Sequence, residues 1–441
     1  MNRLPIVAII GRPNVGKSTL FNRILRRQIA VVDDKPGVTR DRHFGRAEWA
    51  GREFYLVDTG GFIPDSDDLI DRLVREQAEI AIDEADLVLL MVDCRVGNTD
   101  LDDDIARRLQ RTSKPVIVIA NKADNEIYRM DASQFYSLGL GDPIDVAAVS
   151  GYNVGDLLDE LVERLPVCSP AHPEDLLQIA IVGRPNVGKS TFVNFLSGKK
   201  RQIVTEVPGT TRDSIDTEIE FEGEKYILID TAGLRRKSKV KESLEFYTTL
   251  RTLRSVERCD IAVVLIEAPE GMLKQDIQVL EQVMSFRKGT ILAINKWDMI
   301  DGRETNTTRD YEASVRKKIA TYSYLPMIFI SAETGRRGVN VLKLCKKIEE
   351  RQNIRIPTPE LNRFLQETVN RQHPAAVRGK YIKFYYVTQT EVKPPTFVLF
   401  CNYPKLLQKQ YMRYIENRLR ERYDFEGVPV RIKVRAKEGK R

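Results

Sequence analysis

The nine residues GRPNVGKST occupy positions 11–19 and return unchanged at 183–191. No other feature constrains the chain as tightly. A Gly-x-x-x-x-Gly-Lys-Ser segment between an apolar run and a helical pattern is a phosphate-binding loop. Its glycines let the backbone curl so that successive N–H groups face phosphate oxygens, and the following helix adds its positive N-terminal end. Two such loops require two strand–loop–helix units, and so two α/β domains in one chain. The expected phosphate-side residues are Gly11, Asn14, Gly16, Lys17, Ser18 and Thr19 in the first loop, and Gly183, Asn186, Gly188, Lys189, Ser190 and Thr191 in the second. Lys17 and Lys189 are expected to reach the β- and γ-phosphates, and Ser18 and Ser190 to put a hydroxyl on Mg²⁺.

The duplication runs well beyond the loops. PGVTRD at 36–41 returns as PGTTRD at 208–213, DTGG at 58–61 as DTAG at 230–233, and NKAD at 121–124 as NKWD at 295–298, by which point the second copy has gained two residues. Such a period is far too long for a solenoid unit, so this is a duplicated domain. The runs ADLVLLMVD and CDIAVVLIE read as strands buried on both faces. That pattern predicts a mainly parallel sheet covered by helices in each copy. The expected domains are 1–165 and 176–350, joined by a proline-bearing hinge at 166–175. Residues 351–441 read as helix, strand, strand, helix, strand, a small α+β module entered through a linker at Arg351–Pro359.

Charge is uneven. The chain is net +7, yet residues 353–441 hold 19 Lys/Arg against 8 Asp/Glu, so the remainder is net acidic. A basic terminal module points to a polyanionic partner. The five cysteines form no C-x-x-C pair and read as scattered reduced thiols of a cytoplasmic protein. No apolar run is long enough to span a bilayer, and the apolar N-terminus reads as a buried first strand.

A phosphate loop specifies a nucleotide, and N-K-x-D specifies its base. A carboxylate at Asp124 or Asp298 can accept from guanine N1–H and the 2-amino group, and adenine offers neither donor. A site built for a polar edge rejects the analogue lacking it by about four orders of magnitude. Asn121 and Asn295 are expected on the O6/N7 side, with Lys122 and Lys296 packing along the base. Ser150, in VSGYNVG, and Ser331, in ISAETGRRG, are expected at the turn that covers it. Thr39 and Thr211 can complete the Mg²⁺ shell when a γ-phosphate is present. Asp58 and Asp230 would hold the metal through water, and Gly61 and Gly233 would offer a backbone N–H to the γ-phosphate.

Both halves resemble GTPases of the Era/TrmE type, and two in tandem with a small terminal module resemble the Der (EngA) family of ribosome-assembly GTPases. The resemblance covers essentially the whole chain. It implies a KH-like terminal fold, GTP and GDP as ligands, Mg²⁺, and the large ribosomal subunit with its rRNA as partner. Signalling GTPases place a water-orienting glutamine after D-x-x-G, whereas this chain has Phe62 and Leu234. A low intrinsic rate is therefore expected. Potassium-stimulated relatives carry an Asn in G-x-P-N-x-G-K-S. Asn14 and Asn186 match it and imply a K⁺ that neutralises developing charge, unless they only shape the turn.

After D-x-x-G the copies diverge. FIPDSDD is acidic, whereas LRRKSKVK is basic and brings Arg235, Arg236 and Lys237 forward as RNA contacts. The terminal module lacks the G-x-x-G of a standard KH loop. Its expected contacts are phosphate contacts from Lys405, Lys409 and Arg413, beside interleaved aromatics of which strand alternation buries half. Two nucleotide domains in one chain make an obligate dimer unnecessary. Competing readings are a protein-binding signalling switch with a docking tail, and a tRNA-modification GTPase, for which no spare domain exists.

Overall fold

The computed structural model describes residues 4–28, 44–59, 79, 81–166, 176–198, 205–208, 215–229, 252–300, 307–377 and 379–436. The chain divides into two compact units, Met1–Ala171 and His172–Arg441.

In the first unit the elements alternate as the apolar runs require. They are β1 (Ile6–Ile10), α1 (Lys17–Gln28), β2 (Phe44–Trp49), β3 (Arg52–Asp58), β4 (Leu87–Asp93), α2 (Asp100–Leu109), β5 (Val116–Asn121), α3 (Glu126–Asp131), β6 (Ile144–Val146) and α4 (Val154–Arg164). The sheet order is β2-β3-β1-β4-β5-β6. Only β2 pairs antiparallel; the other neighbours run parallel. β1, β4 and β5 are buried at every position, as strands covered on both faces must be.

The second unit repeats the plan with β7 (Leu177–Val182), α5 (Lys189–Gly198), β8 (Thr205–Pro208), β9 (Ile215–Phe221), β10 (Glu224–Ile229), β11 (Ile261–Glu267), α6 (Lys274–Ser285), β12 (Gly289–Asn295), α7 (Thr307–Lys318), β13 (Met327–Phe329) and α8 (Asn340–Gln352). Its sheet runs β13-β12-β11-β7-β10-β9-β8. The terminal module follows as α9 (Thr358–Arg371), β14 (Phe384–Val392), β15 (Pro395–Cys401), α10 (Lys409–Arg422) and β16 (Arg431–Ala436). β15 is central, antiparallel to β14 and parallel to β16.

The junction between these two parts is packed. α8 runs to Gln352, past the start of the expected linker at Arg351, and only residues 353–357 separate it from α9. The carboxamide of buried Gln389 accepts from Ile356 N at 2.8 Å and donates to Ile354 O at 2.9 Å, pinning that connection to β14. Gly427 accepts from Thr290 N at 2.9 Å and donates to Tyr324 O at 3.0 Å. One continuous core joins Ile348 and Ile356 to Leu361, Phe364, Phe397 and Phe425.

Gly427 lies at φ +75°, and a Cβ there would sit 2.6 Å from Ile348 Cδ1. Gly427→Ala is therefore expected to destabilise the second unit by about 1–3 kcal/mol through strain and overpacking. Urea unfolding measures it, and an unchanged midpoint would refute the wedge.

Candidate functional site

Each phosphate loop leaves the carboxyl end of a strand flanked by parallel neighbours, β3 and β4 around β1, and β10 and β11 around β7. Chain connections diverge there, which opens a crevice at the strand ends. Gly11 and Gly183 have φ +148° and +151°, and a Cβ would lie 2.2 Å from Met91 O or 2.6 Å from Leu265 O. Only glycine fits where the loop crosses a neighbouring strand so closely. Asn14 and Asn186 sit exposed at φ 63° and 65°. Asparagine tolerates that left-handed region better than other side chains, so the backbone alone already calls for it.

Lys17 folds back over its loop, its Nζ donating to Gly11 O and Arg12 O at 2.7 Å each. Lys189 Nζ donates to Gly183 O at 2.8 Å and Arg184 O at 2.7 Å. Burial pulls the Lys17 ammonium down to about 8, against the opposing charge of Asp58. Burial, with Arg184 adding to it, brings Lys189 to about 8. Ser18 Oγ donates to Asp58 Oδ2 at 2.5 Å, although forty residues separate them. A hydroxyl and a buried carboxylate side by side form the hard oxygen donor set that Mg²⁺ prefers. Thr19, Ser190 and Thr191 lie exposed on the first turns of α1 and α5. Thr39, Gly61, Phe62, Thr211, Asp230, Gly233, Leu234, Arg235, Arg236 and Lys237 lie outside the described residues.

Asn121 and Asn295, expected on the O6/N7 side, each make two hydrogen bonds to loop backbone. Asn121 Nδ2 donates to Val15 O at 2.6 Å, and its Oδ1 accepts from Ala148 N at 2.9 Å. Asn295 does the same between Val187 O (2.8 Å) and Ala332 N (2.9 Å). Each amide thus joins the phosphate loop to the loop that follows β6 or β13, with one N–H and one lone pair remaining. Lys122 and Lys296 adopt left-handed backbone at φ 66° and 59°. Their ammonium groups reach Asp93 Oδ2 at 2.6 Å and Glu267 Oε1 at 2.7 Å.

Ser150 and Ser331, both expected at the turn, occupy different positions in it. Ala147 bridges Tyr152 as Ser331 bridges Arg336, and Ala148 N takes the place of Ala332 N on the clamping asparagine. Ser331 therefore corresponds to Ala147 and is buried, while Ser150 corresponds to Thr334 and is exposed. The asparagine hydrogen bond, rather than the shared serine, fixes the correspondence of the two loops.

Sequence reasoning missed five residues. Asp93 and Glu267 end β4 and β11, directly beside Asn121 and Asn295 in register. Their shared place as the last acid of each apolar run was the available signal. Arg95 pairs with Asp124 of the N-K-A-D motif, where the second copy has Pro269. Asp102 and Asp276, both buried, face the phosphate-loop arginines Arg12 and Arg184 at 3.3 Å. Asp298 is placed just after β12 in a short 3₁₀ turn, Trp297–Met299.

In the terminal module Lys405, Lys409 and Arg413 are exposed at and before the start of α10. Arg420 is structural: it donates to Phe425 O and Val428 O at 2.8 Å and lies over the Tyr324 ring. The expected alternation of aromatics fails in β14. A register shift between Phe384 and Tyr386 turns both Tyr385 and Tyr386 outward, since a bulge inserts one residue into the period.

Two family descriptions match. "50S ribosome-binding GTPase" covers residues 6–122 and 178–296. "KH-domain-like of EngA bacterial GTPase enzymes, C-terminal" covers 355–435. The chain is 49% identical to GTPase Der of Caldanaerobacter subterraneus subsp. tengcongensis, over 97% of each chain. It is 47% identical to GTPase Der of Desulforamulus reducens, over 99% of each, and 44% identical to that of Flavobacterium psychrophilum, over 98% of this chain and 99% of the relative. No helix among the described residues is long and apolar enough to cross a membrane.

A lysine at about 8 in the free pocket must be charged to hold phosphate, so its value rises on binding. Affinity is then full below about 8 and falls as pH rises through it. Nucleotide binding at pH 8 is expected to take up about half a proton per pocket, against about a tenth at pH 7. Calorimetry in buffers of different ionisation enthalpy reads this directly, and equal uptake at both pH values would refute it.

Proposed function

The chain belongs to the Der family of tandem GTPases, and on that premise we propose that it is an assembly factor for the large ribosomal subunit, with two separately set nucleotide switches. It binds GTP and GDP with Mg²⁺ and hydrolyses GTP to GDP and phosphate. The observation that carries the reading is the guanine-type N-K-x-D motif clamped onto a phosphate loop in both copies, through Asn121 and Asn295.

In each pocket the loop N–H groups and Lys17 or Lys189 hold the phosphates. Asp124 and Asp298 read the guanine edge, and Lys122 and Lys296 lie along the base. Ser18 and Asp58 hold the metal in the first pocket, and Ser190 and Asp230 in the second. Mg²⁺ held there would supply positive charge that neutralises the phosphates. Thr39, Thr211, Gly61 and Gly233 report the γ-phosphate. Because Phe62 and Leu234 cannot orient water, the intrinsic rate is low, and K⁺ held at Asn14 and Asn186 raises it.

The modules we propose are residues 1–165, 176–350 and 351–441, in a cytoplasmic monomer. Arg235, Arg236 and Lys237, with Lys405, Lys409 and Arg413, contact rRNA phosphates. Such contacts make binding fall steeply with salt. The family description naming ribosome binding, together with the basic tail, supports this reading over a protein-docking switch.

Co-sedimentation with purified subunits tests it. The protein is expected to pellet with large subunits in the GTP-like state, and Lys17→Ala, Lys189→Ala or both should abolish this. Absence of binding in every nucleotide state, at low and moderate salt, would remove the proposal. Hydrolysis is expected to be about tenfold or more faster in K⁺ than in Na⁺ at equal ionic strength, and equal rates would remove the K⁺ site alone.

A further inference from the structure

The residue after the first glycine of each phosphate loop is an arginine, and neither guanidinium is aimed freely into solvent. Arg12 Nε lies 3.3 Å from Asp102 Oδ2, with the Asp102 side chain fully buried. Arg184 Nε lies 3.3 Å from Asp276 Oδ1, again with that side chain fully buried. The same pair has been built twice, by helices that follow β4 and β11. Each aspartate is the third residue of its helix and also closes the cap. Asp102 Oδ2 accepts from Thr99 N at 3.2 Å and Thr99 Oγ at 2.7 Å, and Asp276 Oδ2 accepts from Leu273 N at 2.9 Å.

Capping alone does not account for this burial. Cap carboxylates work well in solvent, and burying one is costly unless a cation compensates it. Burial pushes both carboxyls up, and the cap hydrogen bonds from Thr99 and Leu273, followed by the arginines, pull them back. The arginines in turn touch the phosphate lysines, because the carbonyls of Arg12 and Arg184 accept from Lys17 and Lys189 at 2.7 Å.

We propose that Asp102 and Asp276 are positioning residues for nucleotide binding: each tethers the phosphate-loop arginine, and thereby fixes the carbonyl that orients the phosphate-binding lysine. The tether ties the loop to the helix after β4 or β11. In the second pocket it is reinforced, since Arg184 also meets Glu267 at 3.4 Å and pairs with Glu270. Glu267 holds Lys296 as well, so phosphate side and base side share one carboxylate there. The inference rests on the reading that Lys17 and Lys189 bind phosphate.

A double-mutant cycle in a Lys189→Ala background, where only the first pocket reports, tests it with a fluorescent GDP. Asp102→Asn keeps the cap geometry and removes the charge. It is expected to weaken GDP about tenfold, and to cost little or nothing further when Arg12 is already Gln, because the two act as one unit. An equal loss with and without Arg12 would assign Asp102 to the helix cap alone and overturn the inference, as would a folded Asp102→Asn protein with unchanged affinity. Should Asp102→Asn not fold, the Asp276→Asn and Arg184→Gln pair in a Lys17→Ala background gives the same comparison. Lys17→Ala in the first background separates the two claims: retained GDP affinity there would sink the phosphate-pocket reading, whatever Asp102 does.

Discussion

One buried carboxamide holds each pocket together. Asn121 and Asn295 end β5 and β12, and each joins a carbonyl of the phosphate loop to an N–H of the base-covering loop. These two loops lie more than a hundred residues apart in the chain. Without the amide, a carbonyl and an N–H would be left unpaired in the interior, each costing about 1–3 kcal/mol. Gly16 and Gly188 follow from the same contact, because a Cβ on either would lie 2.4 Å from the clamping Nδ2. The residue that opens each N-K-x-D motif is therefore also the brace of the phosphate loop.

Around this shared frame the copies are braced differently. In the first, Arg23 of α1 donates to Ala148 O and Val149 O beneath the base loop. In the second the same place on α5 holds Phe195, packed so tightly under Gly335 and Gly338 that a Cβ on either would lie 2.3 Å from its ring. Polar bracing can be exchanged for water, whereas apolar bracing cannot. Arg95 sits on Asp124 in the first copy and Pro269 stands in its place in the second. Two pockets with one architecture are thus braced by different side chains.

The terminal module is energetically part of the second unit. Its core is continuous with that of the second nucleotide domain, and Arg351 crosses the junction to Asp424 (2.8 Å) and Glu426 (3.1 Å). Exposed ion pairs add little, so the shared apolar core and the inserted Gly427 carry the attachment. The second domain therefore meets the basic, tyrosine-bearing module through a packed junction.

Much of this was legible beforehand. The repeated loops, the buried strands and the α-β-β-α-β tail rest on local pattern, which a sequence displays directly, and so do the glycines whose φ no other residue tolerates. The serine register in the last loop, the bulge that turns Tyr385 and Tyr386 outward, and the partners of Asn121 were not legible. Each depends on a contact between distant segments, and sequence spacing carries no information about which oxygen meets which N–H. Asp102 and Asp276 make the point most plainly. In the sequence they are ordinary acids at helix starts, and only the tertiary fold buries them against an arginine some ninety residues away. The sequence by itself determined which nucleotide chemistry the chain carries and how many times. The tertiary structure alone decided how each pocket is braced, because bracing is set by burial and partner geometry rather than by residue type.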